Sequence, residues 1–294
     1  MHFLLILLLV LFGIVALFFA ALHLGFRNPK NKEKKMPDEL GIPYEKVLIP
    51  TVSNKQLYGW FLPVTDSPET MIILHGWGSN NEYMLPLAIP FFKAGMNVLL
   101  VDSRGHGHSD SDTFSSLPRF AEDVGKAADW LKANKQKASK KIVLLGHSVG
   151  AGAVLFEASK RDDIDAVISV SAFAHPEWMM TRFLTGFHLP LFIVKFILRY
   201  IEWVISHSFE KIAPLNTVCD ISSPILIVHG IDDKVVPIDD ARAIIKNCPR
   251  NHIELFEVDD AGHASVDKFE EHYHVLISFL QKSGFNLLAS SNPT

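Results

Sequence analysis

Short apolar runs alternate with longer segments of helical period over most of this chain, and this alternation limits its fold more than any other feature. The middle runs, such as residues 142–145 and 224–228, are continuously apolar, which is typical of parallel strands covered on both faces. Residues 120–134 carry apolar side chains at three- and four-residue spacing, which indicates an amphipathic crossover helix. The pattern predicts an α/β fold with an open, mostly parallel central sheet and helices on both faces.

The predicted elements follow from the same runs. Strands are expected at residues 47–52, 57–64, 71–74, 97–101, 142–145, 166–170, 224–228 and 253–258. Helices are expected at residues 83–93, 120–134, 151–160, 239–247 and 266–282. The globular body is predicted over residues 44–284, with a tail at 285–294.

The N-terminus carries an uncharged apolar run at residues 3–22. A helix of ~20 such residues, rising ~1.5 Å each, spans the ~30 Å hydrocarbon core of a bilayer. A buried core helix is one alternative, and a cleaved signal peptide is another, since Ala20-Ala21 suits a signal peptidase. A signal peptide usually starts with a basic region and has a shorter apolar stretch, whereas only Met1 and His2 precede this run. We therefore expect a transmembrane anchor at residues 1–26.

Positive charge follows this run at once. The basic residues are Arg27, Lys30, Lys32, Lys34 and Lys35. By the positive-inside rule, they predict that the body lies on the cytoplasmic side of the membrane. Proline and glycine are frequent in residues 27–43, so this segment is expected to be a basic linker.

Composition narrows the possible partners and cofactors. The net charge is −4 and the body has no basic stripe, so nucleic acid is not an expected partner. No dinucleotide-binding or P-loop motif is present, so no cofactor is expected. Cys219 and Cys248 do not form a C-x-x-C pair; a disulfide framework is therefore not indicated, and both are expected to be small buried apolar side chains.

Residues 174–214 interrupt the alternation with an aromatic-rich segment. It is too long for a simple connection and too apolar for a free loop. Three interpretations fit: extra helices buried against the core, a lid over a pocket, or an interfacial helix at residues 187–206, where charges are few. A helical cap is the expected structure, and contact of this cap with the membrane stays open.

The pentapeptide 146–150, Gly-His-Ser-Val-Gly, lies between a predicted strand and an Ala/Gly-rich predicted helix. In isolation G-x-S-x-G is a weak signal. In this context the serine occupies a sharp strand-to-helix turn, where flanking glycines remove Cβ clashes. The following helix presents free N–H groups and its positive dipole end to developing negative charge. Ser148 is therefore the predicted nucleophile.

A serine nucleophile needs a base that a third group holds in place. Asp232 and Asp233 follow the apolar run at 224–228, and His263 follows the last predicted strand. The order serine, acid, histidine is the one that this architecture uses. His263 is the predicted base, whereas spacing alone does not separate the two aspartates.

With these motifs, residues 45–283 resemble the α/β-hydrolase superfamily. The motifs are His75-Gly76-Trp77-Gly78, the segment 102–109, the pentapeptide around Ser148, and the acid and histidine loops. The resemblance implies that Asp233 is the acid, by the pattern H-G-x-x-D-x-x-V-P. It also implies an oxyanion hole formed by the backbone N–H groups of Trp77 and Val149, with a structural role for His75. Anchor and body together resemble a membrane-tethered esterase- or peptidase-like branch.

Residues 106–110 form an H-x-H-x-D sequence, a spacing shared with metallohydrolases. A dinuclear site would need a second histidine after the aspartate, where this chain has Ser111. The surrounding residues fit a hydrolase loop better, so no metal is expected.

The expected activity is hydrolysis of a carboxylic ester, or a related acyl bond, through an acyl-serine. The substrate is expected to be a small acyl compound, apolar or lipid-like because of the aromatic insertion. Peptidase, thioesterase and acyltransferase activities use the same three residues and stay open. A non-catalytic binding protein on this fold is the alternative from another class. Deletion of residues 1–26 is expected to release an active, soluble body.

Overall fold

The computed structural model describes residues 2–25, 27–28 and 30–288. Met1 and Phe26 of the expected anchor, Pro29 of the expected linker and residues 289–294 of the expected tail lie outside this range. Helix α1 (His2–Gly25) contains the apolar run. By length and composition alone, it is long and apolar enough to cross a membrane.

One sheet of eight strands organises the body. The strands are β1 (Glu45–Thr51), β2 (Lys55–Leu62), β3 (Glu69–Leu74), β4 (Asn97–Val101), β5 (Lys141–His147), β6 (Ala166–Val170), β7 (Ile225–Gly230) and β8 (Ile253–Val258). Their spatial order is β1-β2-β4-β3-β5-β6-β7-β8. Strand β2 pairs antiparallel with β1 and β4, and the remaining pairs are parallel. The predicted mostly parallel sheet is confirmed.

Helices cover both faces of the sheet. They are α2 (Asn81–Lys93), α3 (Leu117–Asn134), α4 (Val149–Ala158), α9 (Ile238–Asn247), α10 (Val266–Glu271) and α11 (Tyr273–Lys282). Alternate residues of each strand face opposite layers: Ile72 packs in the layer of α3 and α4, whereas Ile73 packs in that of α2, α10 and α11. The helix expected at 266–282 is two helices, because His272 leaves the helical conformation between them (φ −99°, ψ 18°).

Four α-helices lie between β6 and β7, in the aromatic-rich segment 174–214. They are α5 (Pro176–Thr185), α6 (Leu191–Ile205), α7 (Phe209–Ile212) and α8 (Pro214–Thr217). Helix α6 buries one stripe against the core, formed by Val194, Ile197, Leu198 and Ile201. We call α5, the connection to α6, and α6 itself the cap.

The prediction that the cysteines do not pair is wrong, although Cys248 is buried in the core as expected. Cys219 and Cys248 form a disulfide, with Cα atoms 5.7 Å apart. They are separated by 29 residues in sequence, so no local motif indicates the pair. The pairing arises because the turn after α8 and the end of α9 lie side by side in the fold.

Candidate active site

The predicted nucleophile occupies a strained turn between β5 and α4. Ser148 has φ 57° and ψ −119°, and its N–H donates to the carbonyl oxygen of Val170 (2.9 Å). Cβ atoms at the flanking glycines would clash with backbone: one at Gly146 would lie 2.2 Å from the oxygen of Gly150, and one at Gly150 would lie 2.5 Å from that of His75. These two positions therefore require glycine.

The three predicted catalytic side chains meet at the carboxyl edge of the sheet. The Ser148 Oγ lies 2.9 Å from Nε2 of His263. On the other side of the ring, Nδ1 of His263 lies 2.7 Å from Oδ2 of Asp233. Hydroxyl, imidazole and carboxylate thus form a continuous hydrogen-bonded relay.

Of the two adjacent aspartates, Asp233 is the buried one and Asp232 is exposed. The second carboxylate oxygen of Asp233 accepts from the N–H groups of Val235 (2.9 Å) and Val236 (2.8 Å). Burial alone would raise the pKa of Asp233, but hydrogen bonds from His229, His263 and the Val236 N–H hold it well below its usual range. Since the carboxylate stays ionised, it fixes the proton of His263 on Nδ1 and leaves Nε2 free to accept from Ser148.

Three residues that the sequence argument did not single out hold this relay in position. Nε2 of His147 lies 2.8 Å from the carbonyl oxygen of His263, and the Tyr83 hydroxyl donates to the next carbonyl, that of Ala264 (2.6 Å). His229 is fully buried, and its Nε2 lies 2.8 Å from the oxygen of Val236. Two of them lie within the sequence motifs. His147 is the variable residue before the serine in G-x-S-x-G, and His229 is the first residue of the pattern H-G-x-x-D-x-x-V-P.

The loop after β3 comes close to the nucleophile. A Cβ at Gly76 would lie 3.1 Å from Cβ of Ser148, so the backbone at this point approaches the serine closely. Trp77 and Val149, the predicted oxyanion donors, line the same cavity as Ser148. The fully buried His75 lies behind them. Its Nδ1 is 2.7 Å from the oxygen of Gly76, and its Nε2 accepts from the Ser103 N–H (3.1 Å).

A cavity of about 300 Å³ opens beside Ser148. It is lined by Gly25, Trp77, Phe114, Ser115, Ser116, Leu117, Ser148, Val149, Phe173, Pro176, Met179, Met180, Phe183, Ile201, Val204, Ile205, Phe209 and Ile212. Within the described part of the chain, no charged side chain contributes to this lining. The cap supplies much of the wall, and α1 contributes its last residue.

The residues of the H-x-H-x-D sequence are each engaged by the protein. Nε2 of His106 accepts from the Gly78 N–H (3.2 Å), and His108 lies 3.1 Å from the buried carboxylate of Glu33. Asp110 accepts from the Gln56 N–H (2.8 Å). Over residues 2–25, 27–28 and 30–288, no group of three or more His, Cys, Asp or Glu side chains could hold a metal ion.

Comparison with known proteins decides the family. The family described as "Serine aminopeptidase, S33" matches residues 65–218, more than half of the chain. The chain belongs to this α/β-hydrolase family. The matched residues include Trp77 and the turn around Ser148, whereas Asp233 and His263 lie after the matched range. The resemblance to α/β hydrolases and the predicted fold class are thereby confirmed.

Individual relatives extend the likeness over most of the chain. The structure of the esterase Pf2001 from Pyrococcus furiosus superposes with a TM-score of 0.73 at 26% identity, covering 88% of this chain and 97% of that one. An uncharacterized membrane protein of Saccharomyces cerevisiae is 27% identical over 85% of this chain and 84% of its own length. The uncharacterized protein YqkD of Bacillus subtilis is 28% identical over 74% of this chain and 72% of its own length.

Proposed function

We propose that this α/β hydrolase is a serine esterase that cleaves carboxylic esters with an apolar, lipid-like acyl group through an acyl-serine intermediate. The observation that carries the proposal is the relay from Ser148 through His263 to Asp233, whose hydroxyl end opens into an uncharged cavity. The likeness to a Pyrococcus furiosus esterase supports it.

The geometry gives each side chain a step. His263 Nε2 takes the proton of Ser148 as its Oγ attacks the ester carbonyl, and Asp233 stabilises the imidazolium that forms. The N–H groups of Trp77 and Val149 receive the negative charge on the carbonyl oxygen; loss of one such donor typically costs ~3 kcal/mol of transition-state stabilisation. His263 then returns its proton to the leaving alcohol, and water repeats the cycle on the acyl-serine.

A peptidase is the second candidate, because the matching family is described as a serine aminopeptidase. An aminopeptidase must bind the free α-ammonium group of its substrate, and buried ammonium groups require a charged or strongly polar partner. The lining of the cavity offers three serines, Ser115, Ser116 and Ser148, and otherwise apolar side chains or glycine among the described residues. This composition favours an ester with a hydrocarbon chain.

We place the enzyme in a membrane through α1, as a single-pass anchor, with its catalytic domain on the cytoplasmic side. The uncharged helix is followed by the basic residues 27–35, which supports this orientation. The name of the yeast relative, a membrane protein, supports the anchoring.

Labelling with a fluorophosphonate tests the chemistry directly. We expect one covalent adduct, on Ser148, and none in Ser148→Ala. The kcat/KM for p-nitrophenyl esters should rise from short to medium acyl chains, because each buried CH₂ adds ~0.8 kcal/mol of transfer free energy to binding. Aminoacyl p-nitroanilides serve as the comparison. Absence of label on the folded protein would remove the serine-hydrolase proposal, and faster cleavage of the anilides would replace esterase by peptidase.

A further inference from the structure

The outer face of α6 is apolar although it faces away from the core. At about 3.6 residues per turn, Phe192, Phe196, Arg199 and Trp203 fall on one stripe, opposite the buried stripe that begins at Val194. Phe192 is 73% exposed and Trp203 is 75% exposed. Leu191, Phe183 and Phe187, elsewhere in the cap, are also exposed. Soluble proteins seldom leave a contiguous aromatic surface of this kind in water.

The charges on this face match a bilayer surface. Lys195 and Arg199 stand among the exposed aromatic side chains; Arg199 is paired with Glu202 (3.1 Å), which, over the residues that the structure describes, leaves Lys195 as the unneutralised charge of the three. Helices that lie in a membrane interface combine basic side chains with exposed Trp, Phe and Leu side chains. There the long basic side chains extend to the headgroups, and the aromatic rings enter the acyl region.

The proposed anchor fixes this face beside the membrane. Phe19 of α1 packs on α6, with its ring centroid 4.6 Å from that of Tyr200 and 6.1 Å from that of Phe196. Phe19 lies six residues before the end of α1 at Gly25, roughly 9 Å along a helix. The side chains of residues 3–12 are largely exposed, so the part of α1 before this contact extends away from the body. A bilayer around α1 therefore meets the outer face of α6.

A second opening at this place lies next to the cavity that contains the nucleophile. A cleft of about 450 Å³ lies between the end of α1 and α6 and is lined by His23, Phe114, Tyr200, Trp203, Val204 and Ser206. Two of these residues, Phe114 and Val204, also line the cavity that contains Ser148. Cleft and cavity thus share a wall, and the cleft opens where α1 and the cap meet.

We propose that the cap is a membrane-docking surface, and that the acyl chain of a bilayer ester lipid enters the active site through the cleft between α1 and α6. This inference rests on the proposed esterase function and names its substrate source. The hydrocarbon chain would pass from the leaflet to the uncharged cavity without crossing water, so no apolar surface is hydrated on the way. Contrary to the expectation from sequence, removal of α1 would then leave a body that still binds membranes.

Quenching by brominated lipids tests the docking without any turnover. Bromine on the acyl chains quenches a tryptophan only at close range, so it reports entry of that side chain into the hydrocarbon. The full chain is reconstituted in vesicles of ordinary or brominated phosphatidylcholine. We expect Trp203→Phe to lose most of the quenching, and the control Trp130→Phe, on α3, to keep it. Equal quenching in the two variants would overturn the docking proposal.

Kinetics test the entry route. Phe192→Glu places a charge on the docking surface, outside the cavity, and Leu48→Glu places one on β1, where Leu48 is similarly exposed. We expect Phe192→Glu to lower turnover of a long-chain ester embedded in vesicles about tenfold, and to change turnover of a soluble butyrate ester less than about twofold. Leu48→Glu should change neither rate.

The outcomes separate the two proposals. If Phe192→Glu affects neither substrate, or both equally, entry from the bilayer is wrong and the esterase stands. If the wild-type chain cleaves neither ester and takes no fluorophosphonate, the esterase itself is wrong, whatever the quenching shows.

Discussion

Two adjacent aspartates, Asp232 and Asp233, provide an internal control for the assignment of the catalytic acid. Asp233 is buried against His263, whereas Asp232 is exposed one position away. Asp233→Asn replaces an acceptor by an amide, so His263 loses the partner that fixes its tautomer. We expect kcat to fall by about three to four orders of magnitude, while Asp232→Asn stays within about twofold of wild type. A larger loss in Asp232→Asn than in Asp233→Asn would reverse the assignment of the acid.

The protonation of His147 makes the folding stability of the protein depend on pH in the acid range. Burial, with the neighbouring His263, lowers the pKa of His147 to about 4 from the ordinary value of 6.5. The unfolded chain therefore binds a proton at a higher pH than the folded chain does. The stability due to neutral His147 is present above about pH 6.5 and is lost as pH falls towards 4, by about 2 kcal/mol at pH 5.

His147→Gln should remove this part of the pH dependence, since an amide can still donate to the carbonyl of His263 but does not titrate. The measurement is the unfolding temperature in detergent at pH 7 and pH 5. The difference between the two pH values should shrink in His147→Gln and stay unchanged in His274→Gln, whose side chain is exposed. Identical pH dependence in both variants would show that the titrating group lies elsewhere.

Among the secondary-structure elements, the sequence predicts those that a local residue pattern determines. Continuous apolar runs identify the parallel strands, and the residue order along the chain brings Ser148, Asp233 and His263 to one edge of the sheet. Contacts between distant segments leave no such pattern. Tyr83 bonds to the carbonyl of Ala264, and His147 bonds to the preceding carbonyl, that of His263. Both contacts depend on how α2 and β5 pack against the histidine loop.

The disulfide is the clearest case of a contact between distant segments that no local sequence pattern indicates. It also allows a prediction about stability. Closing a loop of 29 residues is worth about 3–4 kcal/mol in a chain-entropy account. Reduction of the isolated protein should therefore lower its unfolding temperature. The double variant Cys219→Ala, Cys248→Ala should unfold at the lower temperature with or without reductant. If the unfolding temperature of the wild-type protein is the same with and without reductant, the disulfide adds no stability.

For the molecule as a whole, the cysteine pair and the basic flank both bear on which side of the membrane the body lies. In the orientation proposed above, the flank at residues 27–35 lies in the cytoplasm together with the body, where glutathione and thioredoxin keep thiols reduced. Disulfides, by contrast, persist in oxidising compartments. Both features fit a cytoplasmic body if Cys219 and Cys248 are thiols in the cell and close on oxidation, since their Cα distance of 5.7 Å already suits a bond.

We therefore expect rapid alkylation of intact cells, followed by mass spectrometry, to find both cysteines modified as free thiols. Protease added outside the membrane should leave the body intact until the membrane is opened. The expected result follows from five basic residues acting within a short distance of α1, where the positive-inside rule is strongest. Recovery of the bonded pair from living cells, together with cleavage of the body by external protease, would place the active site on the opposite side of the membrane. The docking surface on α6 would then face the outer leaflet, and its substrate would have to be a lipid of that leaflet.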